Sequence, residues 1–102
     1  MVNPDVMVWK HQSTVSLIGS IAGWRTCPEW MRLPRTEGAE TFLSGEAIHF
    51  GKLYAQEVGM NLILAGHYAT ELPAVQSVVE KLEQMFSVET AILSDQSSVV
   101  LF

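Results

Sequence analysis

Three short apolar runs in this chain each end at a glycine that a polar residue follows, and this arrangement limits the folds open to it. The glycine–polar pairs are Gly19-Ser20, Gly45-Glu46 and Gly66-His67. Between the runs, apolar residues recur every three or four positions, which is the period of an amphipathic helix. Strands that alternate with helices form βαβ units around a mainly parallel sheet. The sequence therefore predicts an α/β fold with about four strands and with helices on the faces of the sheet.

The two periods, together with the glycines and prolines, predict the individual elements. Strands are expected at 14–20, 40–44, 61–65 and 88–93, with 6–9 as a further strand or as cover for an apolar edge, and helices near 27–33, 46–58 and 70–86. Pro34 is expected to end or kink the first helix early, because proline cannot donate a backbone hydrogen bond and crowds the preceding turn. The last helix has the clearest period, and its stripe is expected to be core: Val75, Val78, Val79, Leu82, Met85 and Phe86.

Length and composition narrow the classes of protein. A chain of 102 residues, 48% of them hydrophobic, is expected to form one domain over 1–102 and to form a homo-oligomer, because so small a core leaves much apolar surface uncovered. The six basic residues are scattered singly and the formal charge is −5, so nucleic acid is not expected as a partner. No apolar run approaches the roughly 20 residues of a membrane span, and the start lacks a secretory pattern. With Cys27 as its only cysteine, the protein is expected to be cytoplasmic and to lack an internal disulfide.

The polar residues that follow the glycines are expected to converge, because the ends of parallel strands meet at one edge of a sheet. Glu46, His49, His67 and Glu71 form this set. His67 and Glu71 are four residues apart, so on a helix that begins near His67 they share a face and can hold one divalent cation. The set also suffices for acid–base chemistry. The alternative is structural: Glu46 favours the positive end of a helix, His67 satisfies a backbone group, and His49 is a half-exposed surface residue.

Nucleophilic catalysis has little support in the sequence. Cys27 stands near a helix start, which in principle lowers the pKa of a thiol, but no base can be identified beside it. Ser20 and Ser44 lack the Gly-x-Ser-x-Gly pattern of a nucleophile elbow.

Two stretches resemble the NIF-three-like family, whose members are often called GTP cyclohydrolase I type 2 homologues. The run Gly-His-Tyr-Ala-Thr-Glu-Leu-Pro at 66–73 looks like the C-terminal signature of that family. The run Phe-Leu-Ser-Gly-Glu-Ala-Ile-His at 42–49 resembles its second recurring stretch, and the spacing between the two also fits. The resemblance covers residues 14–95 and is specific at 41–73.

The resemblance implies an α/β protein with a pair of metal ions in a cleft and a ring-like oligomeric assembly. It implies that His67 and Glu71 are metal ligands and that Gly45 and Glu46 line the same cleft. Glu46 would be a further ligand or a general base, and His49 would belong to the rim. Histidine and carboxylate ligands suit zinc, manganese, iron or nickel. Full-length members also carry a His-His pair and an Asp ligand that have no counterpart here, so the chain resembles the C-terminal portion of such a protein.

Two functions are therefore open. The first is a divalent-metal-binding domain with an incomplete site, which as an enzyme would be a metal-dependent hydrolase acting on a small molecule. The second is a non-catalytic interaction or oligomerisation module that has lost half of the family site. An exposed apolar edge at 6–9 or 99–102 would favour the second.

Overall fold

The computed structural model describes residues 6–93, and these residues form an α/β fold. The elements in chain order are β1 (Met7–Trp9), β2 (Ile18–Ser20), α1 (Pro28–Thr36), β3 (Thr41–Ser44), α2 (His49–Val58), β4 (Asn61–Leu64) and α3 (His67–Met85). The four strands form one mixed sheet in the order β1-β4-β3-β2. β2, β3 and β4 are parallel, whereas β1 pairs with β4 in the antiparallel direction. The predicted fold class is confirmed.

The chain divides into two compact units, Met1–Glu71 and Leu72–Phe102. The first unit holds the whole sheet, α1, α2 and the first residues of α3. The second holds the remainder of α3 and the residues after it. A single domain over 1–102 stays a prediction. Between residues 6 and 93, no helix combines the length and apolar character needed to cross a membrane.

One face of the sheet packs against α1 and α2. Phe42 and Leu62 are direct neighbours in the register of β3 and β4, so their side chains project to the same face. Met31 of α1 and Ala55 of α2 join them in one buried cluster. Burying a side chain such as Leu62 stabilises the fold by about 1.5–3 kcal/mol. This packing fixes the strands, and with them the turns at the carboxyl ends of the strands.

Two polar side chains hold the segment between β1 and β2 in place. Asn61 accepts hydrogen bonds from two backbone N–H groups and donates one to a carbonyl oxygen within residues 11–14. The carboxylate of Glu40 accepts hydrogen bonds from the backbone N–H groups of Ser16 and Leu17, at 2.6 and 3.1 Å. Because this backbone bonds to side chains instead of to β3, the strand predicted at 14–20 shortens to Ile18–Ser20.

α1 continues through Pro34 to Thr36, so Pro34 does not end this helix, and a kink at Pro34 stays a prediction. The ring of Pro34 packs where a side chain at Gly19 of β2 would stand, and this contact with the sheet compensates for the missing helical hydrogen bond. The carbonyl oxygen of Pro34 accepts the N–H groups of Glu37 and Ala39 at 3.1 and 3.0 Å, which closes the helix.

The other two helices begin at residues different from those predicted. α2 begins at His49 instead of 46, because Ala47 is still bridged to Thr26 in the parallel direction. Glu46 therefore lies in the turn before the helix. α3 runs over His67–Met85 instead of 70–86, which places His67 in its first turn.

Residues 88–93 form no strand, so the fourth strand of the sheet is β1 and not the one predicted there. The prediction that the apolar stripe of α3 belongs to the core is also wrong, because no residue of α3 is buried. Val78 is 58% exposed and Met85 is 65% exposed. The period shows which side chains share a face, but burial also requires an apolar surface opposite them. The apolar tail at 99–102 lies outside the described residues.

Candidate metal-binding site at the carboxyl edge of the sheet

Three turns meet at the carboxyl edge of the parallel strands. The backbone N–H of Glu46 donates to the carbonyl oxygen of Gly23 at 2.7 Å, and the N–H of Gly66 donates to that of Gly45 at 3.0 Å. A Cβ at Gly45 would come within 2.8 Å of the Gly66 oxygen, so only glycine permits this close approach. The turn after β2 contributes Gly23 to this edge. Ser20, the polar residue of the first glycine–polar pair, lies within β2.

Glu46, His67 and Glu71 form a hydrogen-bonded cluster at this edge. Oε2 of Glu46 lies 3.0 Å from Nδ1 of His67, and Oε1 of Glu71 lies 3.0 Å from Nε2. The two carboxylates thus contact opposite edges of one imidazole ring. The side chain of His67 is 40% exposed and both carboxylates are more than half exposed. A ligand can therefore reach the cluster from solvent.

The cluster raises the pKa of His67 above its ordinary value of 6.5. The hydrogen bond with Glu46 is the largest cause, and the charges of Glu71 and Glu46 add to it against a partial loss of solvation. In the protonated ring both nitrogens donate, one to each carboxylate. A metal ion at Nε2 would take the place of that proton.

Thr70, which the sequence analysis did not single out, ties the turns together. Its hydroxyl donates to the carbonyl oxygen of Gly66 at 2.8 Å and accepts the N–H of Gly23 at 3.0 Å. Gly23 has a φ of +84°, and a Cβ there would lie 2.7 Å from Oε1 of Glu71. The backbone of Gly23 is therefore part of the wall of the site. A threonine in the first turn of a helix that starts at His67 is the available signal, since such hydroxyls bond to nearby carbonyls.

His49 and Cys27 take no part in these hydrogen bonds. His49 is the exposed first residue of α2, and its ring centroid lies 6.3 Å from that of Phe50, so its place at the rim stays a prediction. Cys27 is the buried N-cap of α1. Burial, and next a hydrogen bond to Glu29, raise the pKa of its thiol. The expected lowering of that pKa is wrong, and the thiol does not have the character of a nucleophile.

The cluster contains two adjacent groups of the types that bind metal ions, an imidazole and a carboxylate, and a second carboxylate on the opposite edge of the imidazole. No group of three or more His, Cys, Asp and Glu side chains within residues 6–93 is arranged to hold a metal ion. Nε2 of His67 and Oε1 of Glu71, however, are 3.0 Å apart. Two ligands at right angles with bonds of about 2.1 Å are separated by about 3.0 Å, so this pair fits two neighbouring positions around one ion. Glu46 contacts the opposite nitrogen, where a carboxylate orients the ring.

Comparison with known proteins connects this chain to a family. The family described as Duf34/NIF3 (NGG1p interacting factor 3) matches residues 3–98. The GTP cyclohydrolase 1 type 2 homolog of Halobacterium salinarum is 38% identical over 68 residues, which cover 65% of this chain and 26% of that protein. The homolog of Archaeoglobus fulgidus is 36% identical over 56 residues, which cover 55% and 23%. The aligned part of this chain thus spans about a quarter of the length of these relatives.

Two solved structures share the fold. Reduced HcgD from Methanocaldococcus jannaschii aligns with a TM-score of 0.70 at 24% identity, covering 82% of this chain and 34% of HcgD. Staphylococcus aureus protein SA1388 aligns with a TM-score of 0.69 at 23% identity, covering 95% and 34%. At these identities the likeness establishes the fold alone. Because the family match extends over nearly the whole sequence, the chain belongs to the Duf34/NIF3 family.

Proposed function

We propose that this chain binds a divalent metal ion through His67 and Glu71, at a site that water or a further protein segment completes. The observation that carries the proposal is the 3.0 Å separation of Nε2 and Oε1 on the first turn of α3, at an edge where three turns converge. Imidazole and carboxylate suit zinc, manganese, iron or nickel. The resemblance of 66–73 to the family signature supports the same two ligands.

Glu46 has a positioning role in this proposal. By accepting the proton on Nδ1 of His67, its carboxylate fixes the tautomer that leaves the lone pair of Nε2 available for a metal ion. Oε2 of Glu46 contacts the imidazole ring, so Oε1 is the oxygen available for the predicted role of Glu46 as a catalytic base. Gly45 contributes to the same edge by allowing the turn of Glu46 to approach Gly66.

The reaction class that this donor set supports is hydrolysis of a small molecule. A bound divalent ion would lower the pKa of a water ligand and polarise a carbonyl or phosphoryl oxygen. The curated relatives carry the name GTP cyclohydrolase 1 type 2 homolog, which agrees with a hydrolytic reaction. His67 and Glu71 would hold the ion, and Glu46 would orient the imidazole. The wall of the site at Gly23 carries no side chain.

Calorimetric titration of zinc and manganese into the full chain tests the proposal. We expect measurable binding by wild type and at least about tenfold weaker binding by His67→Ala and by Glu71→Gln, because each removes one ligand. Glu46→Gln should weaken binding about tenfold or more through the loss of ring orientation. His11→Ala removes an exposed histidine elsewhere and should leave the affinity unchanged. Equal affinity in wild type and His67→Ala would contradict the proposal.

One observation favours the second function, an oligomerisation module. The exposed stripe of α3 includes Val75, Val78, Leu82 and Met85, and no residue of this 19-residue helix is buried. In proteins, most of the stability of a helix comes from packing of its apolar face against other apolar side chains. A second copy of the chain presents the same stripe, and like surfaces pair readily about a twofold axis. Self-association of a wild-type chain that binds neither zinc nor manganese would select this function over the first.

A further inference from the structure

Arg25 is held over two exposed indole rings. Its guanidinium carbon lies 5.0 Å from the ring centroid of Trp24 and 5.5 Å from that of Trp30. Such cation–π contacts position a guanidinium while its N–H donors stay available in the plane of the group. Among the residues that the structure describes, no carboxylate forms an ion pair with Arg25. The side chain is therefore a positioned cation that lacks an anionic partner within residues 6–93.

An apolar cavity of about 360 Å³ opens beside the same Trp30. Its walls come from the end of β2, from Trp30 and Leu33 of α1, and from Phe42 of β3. The ring of Pro34, which packs against Gly19 of β2, also lines the cavity. The volume is within the range of about 300–1,000 Å³ that small-molecule sites occupy.

We propose that this cavity and Arg25 together bind a small organic anion. The apolar body of the ligand would enter the cavity, and its carboxylate or phosphate would meet the donors of Arg25. The fork of a guanidinium matches either group in a bidentate arrangement. Trp30 is the shared element, because it lines the cavity and lies beneath the guanidinium. In a chain with a net charge of −5, a positioned arginine is the element that makes an anion site favourable.

This anion site does not depend on the metal site proposed at His67 and Glu71. Gly23, whose backbone borders Glu71 and His67, precedes Arg25 by two residues. Two residues of extended chain span at most about 7 Å. The backbone of Arg25 thus lies near the carboxyl edge of the sheet, and anion binding can be measured with a chelator present.

An NMR titration of the ¹⁵N-labelled full chain in excess chelator tests the site. The probes are phenyl phosphate, phenylacetate, neutral 2-phenylethanol and inorganic phosphate, and the indole N–H signals are assigned with Trp24→Phe and Trp30→Phe. We expect both organic anions to shift the Trp30 signal saturably and to bind about tenfold more tightly than 2-phenylethanol. Tighter binding of phenyl phosphate would identify a phosphate ligand, and tighter binding of phenylacetate a carboxylate ligand. Inorganic phosphate should bind more weakly than phenyl phosphate, because it leaves the cavity empty.

Three variants separate the two parts of the site. Arg25→Gln should reduce the affinity for both anions about tenfold, to that of the neutral compound, while Arg25→Lys should retain part of the preference. Arg35→Gln removes an exposed cation from the other end of α1 and is expected to change nothing. Equal affinity for anionic and neutral probes would overturn the proposal. An affinity for the anions that neither Arg25→Gln nor Arg25→Lys changes would also overturn it, as would the absence of a saturable shift of the Trp30 signal.

Discussion

The two compact units of this chain carry the same kind of apolar pattern with different outcomes. In Met1–Glu71, apolar positions on α1, α2 and β4 become fully buried, as Met31, Ala55 and Leu62 show. In α3, apolar residues recur at the same helical spacing, yet Val78 remains mostly exposed. An amphipathic period therefore identifies the side chains that share a face, whereas burial depends on a facing apolar surface. The first unit supplies that surface from its own sheet.

Leucine truncation in each region gives the largest expected contrast. Leu62→Ala in β4 should lower the free energy of unfolding by about 2–5 kcal/mol, because it leaves a cavity among buried side chains. Leu82→Ala in α3 removes the same atoms from an exposed position, and a change within about 0.5 kcal/mol is expected at concentrations where the chain is monomeric. Urea unfolding followed by circular dichroism measures both. Equal losses would show that the two regions do not differ in packing.

A pair of glycine substitutions tests how tightly the first unit constrains the candidate site. Gly23 and Gly38 have similar φ values, +84° and +94°, but only Gly23 has a neighbour within reach of a Cβ, Oε1 of Glu71. Alanine at either position should cost about 1–3 kcal/mol through backbone strain. Gly23→Ala alone should also weaken zinc binding, because it displaces Glu71. Calorimetry that finds the same zinc affinity in both variants would remove Gly23 from the wall of the site.

Charge on the α3 stripe tests whether a second copy covers it. Val78→Lys should raise the dissociation constant of the self-associated chain about tenfold or more, because a lysine would have to be desolvated in the interface. Gln76→Lys adds the same charge on the polar face of the helix and should have little effect. Sedimentation velocity at micromolar concentrations distinguishes these cases. A wild-type chain that stays monomeric at 11.3 kDa would argue against self-association.

The smallest effect concerns the polar anchor at Glu40 in the first unit. The hydrogen bond from the backbone N–H of Ser16 is the largest cause that lowers the pKa of Glu40 below its ordinary value of 4.5. A carboxylate with a lowered pKa in the folded state stabilises the fold fully above pH 4.5 and ceases to do so as the pH falls through that lower value. Glu40→Gln should therefore be less stable than wild type at neutral pH, and the two should converge in acid. Glu80→Gln on α3 is the control. A pH-independent difference between Glu40→Gln and wild type would refute this account.

The sequence predicts which residues meet at the carboxyl edge better than it predicts the boundaries of the elements. The three glycine–polar pairs, combined with the rule that parallel strands end at one edge, lead to the prediction that four residues converge: Glu46, His49, His67 and Glu71. Three of them form the hydrogen-bonded cluster, and His49 takes no part in it. The continuation of α1 through Pro34 could not be foreseen, because it depends on a contact with Gly19, which lies fifteen residues earlier in the chain. The short β2 strand has the same kind of cause, since it follows from hydrogen bonds between Glu40 and a distant segment.

The sharpest test of the metal proposal is to identify which nitrogen of His67 binds the ion. Long-range ¹H–¹⁵N correlation spectra of the full chain, recorded during a zinc titration, report the state of Nδ1 and Nε2 separately. The geometry predicts that zinc binds Nε2, beside Glu71, while Nδ1 keeps its proton and its hydrogen bond to Glu46. In Glu46→Gln, that preference for Nε2 should weaken. Zinc bound at Nδ1 of the wild-type protein, or a His67 ring that zinc leaves unchanged, would contradict the proposal.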